Sequence, residues 1–383
     1  MKILAVGGGS GGHVTPVVAV LKEIKQTRPR AEIRFWSDFA FARQAASLVG
    51  DFDASIPISR IVAGKFRRYH HLSVLQQLLW VRLVLLNIRD AFLVGVGFVQ
   101  SFVKLVIWRP DVVFTKGGYV CLPVGMAARV LRIPLVIHDS DAHPGLTNRI
   151  LGKWADAIAT GAPLEYYHYP PAISRYVGIP ISPDFHPYTK IEIENARARW
   201  GIDPDQPLIV ITGGGLGAQR INDAVAQTVD DLMELGTTVL ISGSAQYDEL
   251  RALTPEYDDR FQLHAFVSKG MAQLLGAADV VVTRAGATTI LELAALAKPT
   301  ILVPNGKLTG GHQLKNAKVY VDADALTTVD EELFEDDPQL LVRAVKDVLS
   351  HPGVAAARAK RFAAFARPQA ARDVADMIIS AAK

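Results

Sequence analysis

Short runs of apolar residues alternate with longer segments of helical periodicity along almost the whole chain. The runs occupy 3–6, 32–36, 112–114 and 135–138 in the first half, and 208–212, 238–242, 262–266, 280–283 and 300–303 in the second half. Several are unbroken Val, Ile and Leu stretches, which are typical of strands buried on both faces of a parallel sheet. The pattern therefore predicts an α/β architecture twice, once in each half.

A glycine-rich loop directly follows the first apolar run of each half. Segment 7–13 reads GGGSGGH, and segment 213–217 reads GGGLG. Glycine lets the backbone turn sharply and approach a ligand closely, and the N–H groups at the start of the next helix face a bound anion. The two loops predict two doubly wound, Rossmann-like domains that face a central cleft.

The domain boundary is predicted from composition. Segment 162–187 is rich in Pro and Tyr and has no clean periodicity, which is typical of a linker. We expect a first domain at 1–180 and a second at 181–367. The last apolar-periodic helix, within 368–383, is expected to pack back on the first domain.

Composition narrows the function classes. Half of the 383 residues are hydrophobic and the formal net charge is only +3, which does not indicate a global nucleic-acid-binding surface. The single cysteine, Cys121, excludes an intramolecular disulfide and a cysteine-based metal cage. Because the first apolar run leads straight into the glycine loop, we expect no signal peptide and a cytoplasmic protein.

The stretch 72–108 is dense in Leu, Val, Phe and Trp, including Trp80. Its charge-free part, 91–103, is shorter than the ~20 residues of a spanning helix, so we expect it not to cross a bilayer. Lys65, Arg67 and Arg68 precede it among aromatic residues, a composition suited to an anionic membrane surface. A pair of core helices beside a solvated basic loop is the alternative.

The first loop also satisfies the dinucleotide fingerprint. Gly7, Gly9 and Gly12 have the required spacing, and Asp38 after the second strand could hold a ribose. That interpretation, a nicotinamide enzyme, explains neither the second glycine loop nor the histidine that directly follows the first. A cluster of His138, Asp141 and His143 could likewise suggest a metal, but the Pro144-Gly145 turn explains the segment without one.

Six motifs stand in order along the chain: 8–16 (GGSGGHVTP), 116–123 (KGGYVCLP), 138–148 (HDSDAHPGLTN), 213–218 (GGGLGA), 284–292 (RAGATTILE) and 312–317 (HQLKNA). Together they make the chain resemble the MurG family, the membrane-associated transferases of the two-domain GT-B fold that make lipid II.

The resemblance implies a function. It implies an inverting hexosyltransferase that moves N-acetylglucosamine from UDP-GlcNAc to the C4 hydroxyl of undecaprenyl-diphosphate-linked MurNAc-peptide. Such an enzyme serves peptidoglycan synthesis, and with it cell shape and division. It implies a peripheral protein on the cytoplasmic face of the cell membrane, with no cofactor, metal or nucleic acid.

The resemblance also implies a donor site. Glu292 would accept the ribose hydroxyls, the Phe266-Val267 region would hold the uracil, and His312, Gln313 and Asn316 would bind the sugar. The full predicted set for UDP-GlcNAc is Ser10, Gly11, Gly12, Asp141, Gly214, Gly215, Leu216, Phe266, Val267, Ala287, Thr288, Thr289, Glu292, His312, Gln313 and Asn316.

The catalytic candidates are His13, Asp141 and Tyr119. His13 is preferred as the general base, because the positive potential at a helix N-terminus disfavours imidazolium and keeps the ring neutral; Asp141 is the rival base. The predicted contacts of the acceptor diphosphate are Gly9, Ser10, Gly12, His13, Gly118 and Tyr119.

Three alternatives stay open, and two departures from the family pattern make the last of them, a loss of catalysis, conceivable. Gly215 stands where many members have serine, and Ser182 stands where they have arginine. The alternatives are a related transferase with another lipid acceptor, such as a diacylglycerol glycosyltransferase, a UDP-sugar epimerase, and a UDP-sugar-binding protein that has lost catalysis.

Overall fold

The computed structural model describes residues 1–8, 11–67, 73–214, 217–253, 260–267, 269–306 and 311–382. The contacts between residues divide the chain into two compact units. Unit 1 comprises Met1–Ser182, Lys307–His312 and Arg367–Lys383, and unit 2 comprises Pro183–Gly306 and Gln313–Ala366.

Unit 1 is built on a parallel sheet. Its strands are β1 (Lys2–Val6), β2 (Glu32–Ser37), β3 (Ile58–Arg60), β4 (Val112–Thr115), β5 (Leu135–Asp139), β6 (Ala157–Thr160) and β7 (Ser174–Tyr176). They pair in the order β3-β2-β1-β4-β5-β6-β7. The helices are α1 (Gly11–Thr27), α2 (Ala42–Phe52), α3 (Val74–Leu79), α4 (Val81–Ile107), α5 (Cys121–Val130), α6 (Leu146–Leu151) and α16 (Ala370–Ala381).

Both faces of this sheet are covered, as the unbroken apolar strands require. Successive side chains of a strand point to opposite faces, and β1 feeds both cores in this way. Ile3 and Ala5 join the apolar cluster that contains residues of α1, α2 and α16. Leu4 and Val6 join the cluster that contains residues of α4, α5 and α6.

The C-terminal helix α16 packs within unit 1. Val374, Ala375 and Ile378 are buried in the same cluster as residues of α1, at the spacing of one helix face. Arg175 beside the sheet edge pairs with Asp373 of this helix at 3.0 Å. The last segment of the chain therefore completes the core of the first unit.

Unit 2 repeats the arrangement. Its strands are β8 (Leu208–Thr212), β9 (Thr237–Ile241), β10 (Phe261–His264), β11 (Val280–Thr283), β12 (Thr300–Leu302) and β13 (Thr327–Thr328), in the parallel order β10-β9-β8-β11-β12-β13. Its helices are α7 (Lys190–Trp200), α8 (Gln219–Gln227), α9 (Val229–Leu235), α10 (Tyr247–Leu253), α11 (Met271–Ala277), α12 (Ala287–Ala295), α13 (His312–Val321), α14 (Gln339–Ser350) and α15 (Pro352–Ala363). The first residue of α13, His312, belongs to unit 1.

The predicted pair of doubly wound α/β folds is confirmed, with corrections in detail. The sequence patterns missed β3, β6, β7 and β13, which have two to four residues each. Segment 162–187 is wrong as a simple linker, because β7 lies inside it and pairs with β6. Strand pairing within unit 1 orders a segment whose local composition is that of a loop.

The apolar stretch of the first half forms one helix of 27 residues, α4. Among the described residues it is the one helix long and apolar enough to cross a membrane by length and composition, with 28% of its most apolar window buried. The helix is longer than the charge-free run at 91–103, because it continues through Arg89 and Asp90. That the segment does not cross a bilayer stays a prediction.

Candidate active site

Each sheet has one point where the chain order reverses, between β1 and β4 in unit 1 and between β8 and β11 in unit 2. In open parallel sheets, ligands bind outside the carboxyl ends of the strands at this switch point. Both predicted glycine loops follow a switch-point strand. The topology therefore gives each unit one candidate site, at the end of β1 and β4 or of β8 and β11.

The described glycines of the turn after β8 stand where another residue would clash or strain the backbone. A Cβ atom on Gly213 would lie 2.4 Å from the Ala218 nitrogen, and Gly214 and Gly217 both have a φ of +75°. The Gly214 N–H donates to the Thr212 hydroxyl at 3.2 Å. Predicted contacts Gly215 and Leu216 lie outside the described residues. The turn brings the backbone to the start of α8 at the edge of the switch point.

Helix α12 begins directly after β11, at the other side of the same switch point. Gly286 precedes its first turn without a side-chain cap, so the N–H groups of Ala287, Thr288 and Thr289 have no partner inside the helix. Glu292 lies one turn further along α12. Burial raises the pKa of its carboxyl from 4.5 to about 7, because the charged form loses hydration.

Several residues hold the loops around this end of the unit 2 sheet. The Asn316 amide is buried and donates to the Ala285 carbonyl at 3.2 Å. The Gln313 side-chain oxygen accepts from the Asn305 N–H at 2.8 Å. These contacts fix the turns before α12 and α13. The sugar contacts predicted for Asn316, Gln313 and His312, the first residue of α13, stay predictions.

Arg284, at the end of β11, carries a buried charge that sequence reasoning did not use. Its guanidinium pairs with Glu331 and donates to the Val303 carbonyl at 3.2 Å, and both charged side chains are buried. Arg220 in the first turn of α8 lies 3.6 Å from the same carboxylate. Glu331 thus ties the two sides of the unit 2 switch point together.

The uracil candidates follow β10. Phe266 is exposed and Val267 is buried. An exposed aromatic ring at the carboxyl end of a strand can stack on a planar base. The remaining donor candidates of unit 2 thus also lie at the strand ends where the topology predicts a ligand.

In unit 1 the loop after β1 packs against Asp38. A Cβ atom on Gly8 would lie 2.2 Å from an Asp38 carboxylate oxygen. Asp38 is buried, accepts the N–H groups of Ala40 and Phe41, and accepts a hydrogen bond from Tyr119, whose pKa burial and this carboxylate both raise. Because these groups engage Asp38, the structure does not favour the ribose contact of the dinucleotide interpretation.

The remaining candidates of this loop are described only in part. Gly9 and Ser10 lie outside the described residues. Gly11, Gly12 and His13 are the first three residues of α1, and their side chains lie outside the described part. The backbone therefore places His13 at a helix N-terminus, as predicted, and the helix dipole gives that end a positive potential.

A cavity of about 280 Å³ lies at the carboxyl ends of β4 and β5 in unit 1. Its walls include Lys116, Tyr119, Asp139 and Asp141, together with the turn at Gly117 and Gly118, whose φ values are +96° and +88°. The cavity thus brings together Gly118, Tyr119, Asp141 and His312, four of the predicted site residues, and His312 Nδ1 lies 3.8 Å from an Asp141 carboxylate oxygen. Two glycines in the left-handed region let the chain turn back into α5 at the cavity wall.

Sequence reasoning missed a buried polar network behind this cavity. The Asp139 carboxyl is 3% exposed and accepts the Tyr169 hydroxyl at 2.7 Å. Burial raises its pKa to about 7, and Asp141 adds to that shift. Asn148 on α6 donates to the His138 carbonyl at 3.2 Å. Tyr169 gave no signal, because it lies in the segment that resembles a linker.

The predicted membrane-facing residues differ in their surroundings. Lys65 and Trp80 are exposed, Arg67 forms an ion pair with the buried Asp90 of α4, and Arg68 lies outside the described residues. The exposed apolar residues of α4 recur every three or four positions and form one stripe: Val81, Leu85, Ile88, Phe92, Val96, Val99, Val103 and Val106. The opposite face of α4 is buried against unit 1, so the apolar stripe is exposed on the surface of this unit.

Comparison with known families matches both units. The N-terminal domain of glycosyltransferase family 28 matches residues 3–160, and the C-terminal domain of the same family matches residues 208–374. A relative from an Exiguobacterium species is 32% identical over 379 residues, covering 99% of each chain. That relative is named a UDP-N-acetylglucosamine–N-acetylmuramyl-(pentapeptide) pyrophosphoryl-undecaprenol N-acetylglucosamine transferase.

Solved structures share the fold. The crystal structure of Acinetobacter baumannii MurG is 24% identical, with a TM-score of 0.72 over 99% of each chain. UDP-GlcNAc 2-epimerase from Neisseria meningitidis, solved with UDP-GlcNAc, is 12% identical with a TM-score of 0.66, over 99% of this chain and 100% of the other. The fold alone therefore does not separate a transferase from an epimerase.

Proposed function

Because the chain belongs to glycosyltransferase family 28, we propose that it transfers N-acetylglucosamine from UDP-GlcNAc to undecaprenyl-diphosphate-linked MurNAc-peptide. The acceptor atom is the C4 hydroxyl of the muramyl sugar, and the product is the lipid-linked disaccharide used for peptidoglycan. The observation that carries this proposal is the likeness to the Exiguobacterium transferase over 99% of both chains.

The donor binds to unit 2 in this proposal. The backbone N–H groups in the first turns of α8 and α12 receive the diphosphate, because amides without a partner inside the helix attract anions. Glu292 on α12 accepts both ribose hydroxyls, since a carboxylate can accept two hydrogen bonds at once. The same amides stabilise the negative charge that builds on departing UDP.

The acceptor binds to unit 1. Its diphosphate lies at the N-terminus of α1 and against Gly118 and Tyr119, and its sugar enters the cavity beside β4 and β5. The support is the cavity of about 280 Å³ with the turn at Gly117 and Gly118 in its wall. A cavity of this size admits a group such as one sugar with its phosphate, while larger ligand pockets reach about 1,000 Å³.

The chemistry is a direct displacement. The C4 hydroxyl loses its proton to a general base and attacks the anomeric carbon, and the bond from that carbon to UDP breaks on the opposite face. The α-linked donor thus gives a β-linked product through an oxocarbenium-like transition state, as in inverting hydrolysis. His13 at the start of α1 is the preferred base, and Asp141 at the cavity is the rival.

The protein reaches its lipid-linked substrate by resting on the membrane surface. The support is the exposed apolar stripe of α4, together with the exposed side chains of Leu75 and Leu79 on α3 and of Trp80, which follows α3 directly. Exposed Lys65 adds positive charge nearby, which favours anionic lipid headgroups. The buried Asp90 and its ion pair with Arg67 anchor the middle of α4 to unit 1, which favours a helix lying flat on the surface.

The proposed reaction is tested by product mass. Purified protein is incubated with UDP-GlcNAc and lipid-linked MurNAc-peptide, and we expect the acceptor to gain one N-acetylhexosamine as UDP is released. A parallel reaction with diacylglycerol and one without lipid complete the test. Transfer to diacylglycerol alone would indicate a diacylglycerol glycosyltransferase. Epimerised sugar without lipid would indicate an epimerase, and UDP binding without turnover would indicate a protein that has lost catalysis. Each result would contradict the proposal.

The base is identified in the same assay. His13→Ala is expected to lower turnover by ~10²–10⁴-fold, the usual contribution of general base catalysis, with UDP affinity nearly unchanged. Asp141→Asn is the matched comparison. If Asp141→Asn carries the larger loss and His13→Ala keeps wild-type turnover, Asp141 is the base.

Glu292 is tested by Glu292→Gln. Loss of the charge-assisted hydrogen bonds to ribose is expected to weaken UDP binding by about 1.5–3 kcal/mol, measured by calorimetry. The same change is expected to stabilise the protein at pH 8. The raised pKa of about 7 means that ionisation costs stability as pH rises from about 4.5 to 7, and glutamine does not ionise.

The control for this prediction is Glu234→Gln, which changes an exposed glutamate of α9. The gain in unfolding free energy of Glu292→Gln should disappear well below pH 4.5, where Glu292 is neutral in both the folded and the unfolded protein. Wild-type UDP affinity in Glu292→Gln contradicts the ribose contact. If the unfolding free energies of Glu292→Gln and wild type depend on pH in the same way, the raised pKa of Glu292 is contradicted.

Membrane contact is tested on α4 with the double variant Phe92→Asn, Val99→Asn. Each side chain contributes about 1.5–3 kcal/mol when fully buried in an apolar phase, so partitioning into anionic liposomes should fall at least about tenfold in sedimentation. Ile191→Asn, an equally exposed apolar residue on α7 of unit 2, is the control. Unchanged sedimentation of the double variant, or wild-type protein that resists alkaline carbonate extraction, contradicts a helix lying on the surface.

A further inference from the structure

Segment 61–67, the strap, follows β3 and is bound along helix α4. Near its start, the Gln100 side chain accepts from the Val62 N–H at 2.9 Å and donates to the last carbonyl of β3 at 3.0 Å. At its end, the Asn87 side chain accepts from the Arg67 N–H at 2.9 Å and donates to the Arg67 carbonyl at 3.0 Å. Two amide side chains of α4 therefore hold the backbone of the strap, one at each end.

Two glycines bring the strap into direct contact with the backbone of α4. A Cβ atom on Gly64 of the strap would overlap the Asp90 carbonyl oxygen, and one on Gly97 of α4 would overlap the Val62 carbonyl oxygen. Glycine is the residue that permits such close approach. Arg67 also forms an ion pair with the buried Asp90 carboxylate. These contacts fix the position of the strap on α4 between the two amides.

The strap also forms part of the wall of the unit 1 cavity. Gly64, Lys65 and Phe66 line this cavity together with Gly118 and Tyr119, two of the predicted acceptor contacts. Phe66 packs against the apolar cluster that contains residues of α4 and α5, whereas Lys65 is exposed. The helix with the exposed apolar stripe thus sets where Lys65 lies at the cavity.

Lys65 is the exposed lysine among the described residues that line the cavity. The other lysine of this lining, Lys116, is 1% exposed and donates to the Ser140 hydroxyl. His312 Nδ1 lies 3.8 Å from an Asp141 carboxylate oxygen, so that carboxylate offsets any charge on the ring. An anionic ligand of the cavity can therefore reach the Lys65 ammonium without breaking a buried contact.

We propose that Lys65 binds the diphosphate of the lipid acceptor at this cavity, and that the strap holds Lys65 in place. Asp141 lines the same cavity with a side chain that is 36% exposed. Its carboxylate repels a diphosphate, so the uncharged sugar ring suits the surroundings of Asp141 and the diphosphate suits those of Lys65. The inference rests on the proposed function, because it names a contact of the acceptor.

A membrane-free assay tests the Lys65 contact. A phosphate of a membrane lipid offers Lys65 the same chemistry, so the acceptor used carries a prenyl tail short enough to stay dissolved. Lys65→Met removes the charge and is expected to raise the KM for this acceptor about tenfold or more, the usual scale of a charge-assisted hydrogen bond. The KM for UDP-GlcNAc should stay within about twofold of wild type.

Two further variants serve as controls for charge. Lys65→Arg keeps the positive charge and should recover part of the loss seen in Lys65→Met. Lys153→Met changes another exposed lysine of unit 1 and should behave as wild type.

The strap is tested by a double-mutant cycle with Asn87→Ala, which removes both hydrogen bonds to Arg67. Alone, this change is expected to raise the KM for the dissolved acceptor about threefold or more, because Lys65 is then less well placed. Added to Lys65→Met, it should cost less than about twofold, since no ammonium is left to position. If Asn87→Ala fails to fold by circular dichroism, Gln100→Ala replaces it in the cycle with the same expectation.

The outcomes are distinct. An unchanged KM of Lys65→Met for the dissolved acceptor overturns the inference, and weaker sedimentation with anionic liposomes would then assign Lys65 to the membrane surface. Equal cost of Asn87→Ala with and without Lys65 overturns the role of the strap. Wild-type protein that makes no lipid-linked disaccharide rejects the proposed function, and the inference with it. A raised KM without membrane, together with coupling in the cycle, supports the inference.

Discussion

The close approach of the backbone at the two switch points is the constraint on which the rest of the structure depends. Where the strand order reverses, the chain leaves a central strand, turns and begins a helix, and at Gly8 and Gly213 it has no space for a side chain. A Cβ on Gly8 would meet Asp38 at 2.2 Å, and one on Gly213 would meet the Ala218 nitrogen at 2.4 Å. The helices that follow begin with N–H groups that have no partner inside the helix, and an anionic ligand can satisfy them.

The fold could be predicted where strands are buried on both faces. Strands β1, β4, β5, β8 and β11 each contain an unbroken apolar run, so composition alone identifies them. The strand β7 could not be found in this way, because Ser174–Tyr176 has no apolar pattern and is ordered by pairing with β6. Helix α4 shows a related limit: its apolar character was evident, but the position of Asp90 on the buried face depends on an ion pair with Arg67, 23 residues away.

The residues of the candidate site also differ in whether the sequence alone could predict them. Glycine turns and Glu292 depend on local spacing, which a sequence displays. The polar network of unit 1 depends on contacts between distant residues: Lys116 and Ser140 are 24 positions apart, and Asp139 and Tyr169 are 30 apart. A lysine placed between an apolar strand and two glycines was the one visible signal, and its meaning required knowledge of the neighbouring strand. The charged groups around this cavity are therefore brought together by the fold, and no single sequence motif contains them all.

The central claim is that nucleotide and lipid acceptor have separate sites, one at each switch point. Hydrogen exchange of backbone amides with and without UDP tests it most directly, because it reads each unit separately. We predict that UDP slows exchange at 213–219 and 286–292 in unit 2 and leaves 117–119 and 138–148 in unit 1 unchanged. Protection centred on the β1 loop and the start of α1, with unit 2 unaffected, would contradict the account.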